Sequence, residues 1–220
     1  MTTILFDLDG TLIDSADGIL SSMRAAFAEL GVPEPPGGLG RGLLGPPLHT
    51  SLPPLVGPAL AETIVPVYRR IYVEHGLPAH RPFAGIDTLL RELAAAGAAL
   101  AVATSKLERF AEQIVAANGW APLFHTVCGE TVEKTRPTKA DVVRVALARL
   151  GGPADAVMVG DRSHDVIGAR ANGLSCLGVA WGYAGPGELE TAGASTICAD
   201  VDALRGELTT RTGPRNRHSR

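Results

Sequence analysis

The sequence predicts an α/β protein: a doubly wound, mainly parallel sheet covered by helices on both faces and interrupted near its start by an all-helical segment. Three observations predict it. From about residue 82 onward, short apolar runs alternate with helical stretches, the rhythm of strand–helix–strand crossovers. The apolar runs, such as Leu100-Ala101-Val102-Ala103 and Val157-Met158-Val159, are continuous, as strands buried on both faces require. The stretch from residue 15 to 81 instead combines helical periodicity with clusters of Pro and Gly, which read as short helices and loops. The chain is therefore expected to form a Rossmann-like core from residues 1–14 and 82–210 and a small helical unit from 15–81.

The elements follow in order. Ile4-Leu5-Phe6 runs directly into Asp7, so a buried strand delivers a carboxylate to its carboxyl end. A helix is expected over residues 15–30, with Ser15 as N-cap, Asp17 in the first turn, and Ile19, Met23, Phe27 and Leu30 at helical spacing; Gly31 and Pro33 stop it. Pro35-Pro36-Gly37-Gly38, Gly45-Pro46-Pro47 and Pro53-Pro54 allow no long regular element until a second helix over 59–75, with Leu60, Ile64, Val67, Tyr68 and Ile71 along one face. Helices are then expected over 86–96, 107–118, 139–150 and 165–172, and strands over 98–104, 125–128, 156–159 and 176–180. The tail 211–220, with four arginines plus Pro, Asn and Ser, reads as disordered.

Composition narrows the function. At 45% hydrophobic residues and a formal charge of -3, the chain has enough apolar mass for a core and no basic field to gather nucleic acid or an acidic membrane. No apolar run approaches the roughly 20 residues that span a bilayer, and no basic leader precedes the first strand. The expectation is a cytoplasmic protein, monomer or homodimer, acting on a small molecule. Cys128, Cys176 and Cys198 are widely spaced in apolar runs and read as buried reduced thiols.

The chemistry gathers at strand ends. Asp9 shares an extended face with Asp7 two residues earlier, and Gly10 lets the backbone turn and approach a ligand closely. Thr104-Ser105-Lys106 follows one expected strand, placing hydroxyls at the start of the next helix, a donor-rich anion site if they are more than N-caps. Lys139 opens a later helix, an unfavourable place for a cation unless an anion faces it. Gly160-Asp161-Arg162-Ser163-His164-Asp165 follows another strand. Asp7, Asp9, Asp161 and Asp165 at one sheet edge repel one another unless a cation sits among them. Hard carboxylate oxygens suit Mg²⁺, which binds alongside a substrate phosphate.

Asp7-Leu8-Asp9-Gly10-Thr11, then Thr104-Ser105, then Lys139, then Gly160-Asp161 with Asp165 together resemble the four motifs of the haloacid dehalogenase superfamily, in particular its phosphoglycolate-phosphatase-like and 5'-nucleotidase-like branch. The resemblance implies a phosphatase acting on a small phosphorylated metabolite. Asp7 would form an aspartyl-phosphate and Asp9 would serve as acid and then base. Mg²⁺ would be held by Asp7, the Asp9 main-chain carbonyl, Asp161 and Asp165. Gly10, Thr104, Ser105 and Lys139 would bind the phosphate. Many members carry Lys-Pro at the third motif, so Lys134 competes with Lys139. The 15–81 unit corresponds to a helical cap, in which Arg41 is expected to meet an anionic part of the substrate. A phosphomutase of the same fold and a catalytically silent binding protein are the alternatives.

Overall fold

The computed structural model describes residues 2–212. Its strands are β1 (Thr3–Phe6), β2 (Ile13–Asp14), β3 (Arg81–Pro82), β4 (Ala99–Leu107), β5 (Phe124–Glu130), β6 (Ala156–Gly160), β7 (Ser175–Val179) and β8 (Thr196–Cys198). Its α-helices are α1 (Ala16–Glu29), α2 (Leu48–Ser51), α3 (Pro53–Val56), α4 (Pro58–Ile71), α5 (Ile86–Ala95), α6 (Glu108–Ala117), α7 (Lys139–Arg149), α8 (Ser163–Ala171), α9 (Glu188–Ala192) and α10 (Val201–Thr212).

Six strands form one sheet in the order β5-β4-β1-β6-β7-β8, each neighbouring pair parallel. Strand β1 is central, with Phe6 opposite Val102 on one side and Val159 on the other. The winding direction reverses beside it, and a doubly wound sheet opens its crevice at such a point. The pleat sorts side chains onto two faces. Ile4, Phe6, Leu100, Val102, Val157 and Val159 pack with α5, α6 and α10, while Leu5, Ala101, Ala103 and Met158 pack with α7 and α8. Every strand of this kind is buried twice over, which explains the unbroken apolar runs.

Helices α1 to α4 lie between β2 and β3, and these two short strands pair antiparallel through Ile13–Pro82 and Asp14–Arg81. Helix α4 keeps Pro66 in its interior and continues into a wider π-type turn, Tyr72–Gly76. There Gly18 of α1 sits so close that a Cβ would stand 2.3 Å from the Gly76 carbonyl oxygen.

Several boundaries move. Strand β4 runs on through Thr104, Ser105 and Lys106 to Leu107, so the following helix begins at Glu108. The expected hydroxyls at a helix N-terminus therefore lie in extended chain instead. Helix α8 begins at Ser163, making Asp165 the third helical residue, whose carboxylate accepts the Arg162 N–H. The short elements β2, β3, α9 and β8 and the helix α10 carry patterns too brief or too polar to read beforehand. Helix α10 takes in Arg211 and Thr212; the rest of the tail lies outside the described residues. Among those, no helix is long and apolar enough to cross a membrane. The three cysteines are free and buried.

Candidate active site

At the carboxyl ends of β1 and β6 the sheet delivers Asp7 and Asp161, and the first turn of α8 adds Asp165. Oxygens of these three buried carboxylates lie within 4.8 Å of one another. Lys139, at the start of α7, reaches across from the side, its Nζ 2.6 Å from Asp7 Oδ1 and 2.8 Å from Asp165 Oδ1. One ammonium thus bridges two of the three carboxyl groups. Burial pushes Asp7 up to about 6, with Asp165 and Asp9 adding to the rise and Lys139 opposing it. Asp161 is pushed well above the ordinary range by burial and then by the charges of Asp165 and Asp7. Burial works against the Lys139 charge, yet Asp165 and Asp7 outweigh it and raise that group.

Asp161 is aimed by its neighbours. Thr11 Oγ1 donates to its Oδ1 at 3.1 Å and the Tyr183 N–H to its Oδ2 at 2.7 Å. Gly10, at φ +86°, presses so close that a Cβ would sit 2.2 Å from Asp161 Oδ2; its own N–H is used within the turn, donating to the Ile13 carbonyl at 2.8 Å. Gly10 thus admits the metal-side carboxylate rather than offering a free amide.

Asp9 turns away from the trio. Its carboxylate accepts from Ser15 Oγ and faces Lys106 Nζ at 3.0 Å. Ser15 does stand just before α1, but its hydroxyl serves Asp9 and makes no cap bond. Tyr183 Oη, which accepts the Ser15 N–H at 2.9 Å and donates to Asp14 at 3.0 Å, fixes that corner. Lys106 also donates to Tyr72 Oη at 2.8 Å and lies 4.6 Å from the centre of that ring. Burial disfavours its charge, but Asp9 and the tyrosines raise the group.

A cavity of about 70 Å³ opens beside Asp9, lined on the sheet side by Ser105, Lys106 and Glu130 and on the helical side by Tyr68, Arg69 and Tyr72. Thr104 is buried, its hydroxyl accepting the Lys106 N–H at 3.2 Å. Arg41 is exposed on a short 3₁₀ turn and is not among the residues lining this cavity. Lys134 is exposed at a left-handed turn position, φ 56°, whereas Lys139 is buried against Asp7. The residues that sequence reasoning passed over are Lys106, Arg69, Glu130, Tyr72 and Tyr183. Lys106 alone carried a signal, standing next to Thr104-Ser105.

In sequence and in fold the chain is similar to known proteins. The haloacid dehalogenase-like hydrolase family model matches residues 4–179. The chain is 41% identical over 208 residues to the tyrosine-protein kinase PtkA of Mycobacterium tuberculosis, covering 93% of this chain and 72% of that protein. It is 38% identical over 208 residues to a 5'-nucleotidase of Pseudomonas aeruginosa, covering 93% and 94%. The crystal structure of a predicted phosphatase from Clostridium acetobutylicum superposes with a TM-score of 0.88 at 34% identity, covering 95% of this chain and 98% of that one. With the family model spanning most of the chain and an aspartate trio around one lysine at the carboxyl ends of its strands, this protein belongs to the haloacid dehalogenase-like hydrolases.

Proposed function

We propose that the chain is a magnesium-dependent phosphatase for small phosphomonoesters, working through an aspartyl-phosphate on Asp7. The observation that carries this reading is the pairing of two buried carboxylates with separate surroundings: Asp7 among Lys139, Asp161 and Asp165, and Asp9 facing the cavity with Ser15 and Lys106. Groups held in different environments within one site suit nucleophile and acid–base roles.

The donor set fits a hard dication. Three buried carboxyl groups lie together with one lysine that reaches only two of them, and burial first, then the neighbouring carboxylates, raises Asp7 and Asp161, a penalty that a metal would relieve. Asp7, Asp161 and Asp165 would hold Mg²⁺ with the Asp9 main-chain carbonyl, and the ion would supply charge stabilisation for the phosphoryl oxygens.

The chain's own residues do the rest. An Asp7 oxygen attacks phosphorus, the ester P–O bond breaks, and Asp9 gives its proton to the leaving oxygen. Asp9, now ionised, takes a proton from water as that water attacks the acyl phosphate, freeing Asp7 and inorganic phosphate. Lys139 offsets negative charge on the transferring group, and Thr104 and Ser105, in the last stretch of extended chain of β4, would meet its oxygens. We take residues 15–81 as a cap that excludes water during attack. The relative PtkA is named for transfer to protein tyrosine, but the small cavity beside Asp9 favours water as acceptor. Three free buried cysteines suit a reducing, cytoplasmic setting.

Hydrolysis of p-nitrophenyl phosphate tests the reading. It should require Mg²⁺ and fall roughly a thousandfold or more in Asp7→Asn. No hydrolysis by the unmodified protein would return the chain to a binding role.

A further inference from the structure

Among the described residues, the cavity beside Asp9 holds one cation that makes no direct contact with an anion. Asp9 is matched by Lys106 at 3.0 Å. Glu130, buried at the end of β5, has His49 Nδ1 of α2 2.7 Å from its Oε1, and the Arg69 charge also acts on it from a greater distance. Arg69 lines the same cavity from α4, and among the described residues its guanidinium has no hydrogen bond and no carboxylate oxygen within 4.0 Å. The next residue, Arg70, behaves as a surface arginine does, pairing with Glu29 across to α1. Arg69 is half-buried, next in the chain to Tyr68, whose ring stacks on Tyr72 at 5.5 Å. It also borders a second cavity of about 360 Å³ whose wall carries Glu62 as well as Lys134 and His49, with no carboxylate of that wall within 4.0 Å of Arg69 among the described residues.

A half-buried guanidinium gives up hydration and regains it only from an anion, and its planar fork suits paired oxygens. The space is short: one water centre needs about 10–15 Å³, so about 70 Å³ admits only a few heavy atoms. We propose that Arg69 is the specificity-determining residue of this site, taking a second anionic group on the leaving portion of a short phosphomonoester, the role that the sequence suggested for Arg41. The inference rests on the phosphatase reading, because it takes Asp9 as the group facing the leaving oxygen.

The test separates the two claims. Binding is measured by calorimetry with Mg²⁺ in the Asp7→Asn protein, which does not turn over, for 2-phosphoglycolate and its neutral counterpart 2-hydroxyethyl phosphate. The anionic probe should bind about tenfold or more tightly than the neutral one, the worth of one charge-assisted contact. Adding Arg69→Gln should bring that ratio close to one by weakening only the anionic probe, and Arg69→Lys should restore most of it. A ratio unchanged by Arg69→Gln, an equal loss for both probes, no binding of either, or a ratio abolished by Arg41→Ala instead would each overturn the assignment. Turnover of p-nitrophenyl phosphate by the unmodified protein is read separately. Hydrolysis with an unmoved ratio removes the Arg69 role alone. A moved ratio without hydrolysis removes the phosphatase reading alone.

Discussion

Asp7 sits where burial and two neighbouring carboxylates oppose its ionisation, and this has a measurable consequence for stability. Its carboxyl titrates at about 6 in the folded chain against 3.8 ordinarily, so between those values the folded state holds a proton that the unfolded state has released. Without metal, stability therefore falls as pH rises from about 4 to 6 and stays low above that. Asp7→Asn lacks this loss. In EDTA at pH 7.5 it should be more stable than the unmodified protein by about 3 kcal/mol, with the gap closing as pH drops to 4; melting curves at stepped pH check this, and a constant gap would refute it. The importance of Asp7 and Asp9 was legible in the sequence because an apolar run ending in two acids has few other uses. Arg69 was not legible, since an arginine on the polar side of an amphipathic helix resembles any solvated one until its neighbours are seen to be paired off.

Among elements, the junction of β6 with α8 shows how a site is braced. Burial alone would raise Glu188 of α9, but hydrogen bonds from Arg162, Ser163 and Gly185 overcome it and hold the carboxyl at about 2. Arg162 in turn donates to the Leu44 carbonyl, so this bond network ties the Asp161–Asp165 turn to the chain ahead of α2. The contribution of Glu188 is present above about 4.5 and fades as pH falls toward 2. Glu188→Gln should lower the melting temperature at pH 7 and differ little from the parent near pH 2.5; an equal deficit at both would assign the effect to packing. Gly18→Ala should also destabilise the helical segment, because the new methyl meets backbone at Gly76, and melting should show it. Helices α5, α6, α7 and α8 were legible from their apolar spacing. The run from Thr104 to Leu107 was misread because Ser and Thr before a helical pattern look like caps; here pairing with β5, across a shift in register after Ala103, keeps the chain extended and so brings Lys106 to Asp9.

For the whole molecule, the parallel, doubly wound sheet followed from the alternation of strands and helices, while the pairing of β2 with β3 could not be foreseen, because two-residue strands leave no periodic trace. The acid-rich centre also predicts a global response. Mg²⁺ well above its dissociation constant should raise the melting temperature by about 5 °C or more, and Asp161→Asn should abolish the rise; an equal rise in that variant would place the ion elsewhere. The two short strands matter most for what the helices can do relative to the sheet. Both passages of chain run side by side, stitched at Ile13–Pro82 and Asp14–Arg81, and a doubled strap of that kind folds like a door rather than swivelling like a ball joint. Ser15 leaves one leaf of the strap, and Tyr72 rides on the panel beyond. The stretch enclosed by that strap thus supplies a partner to each member of the Asp9–Lys106 pair, Ser15 to the acid and Tyr72 to the base.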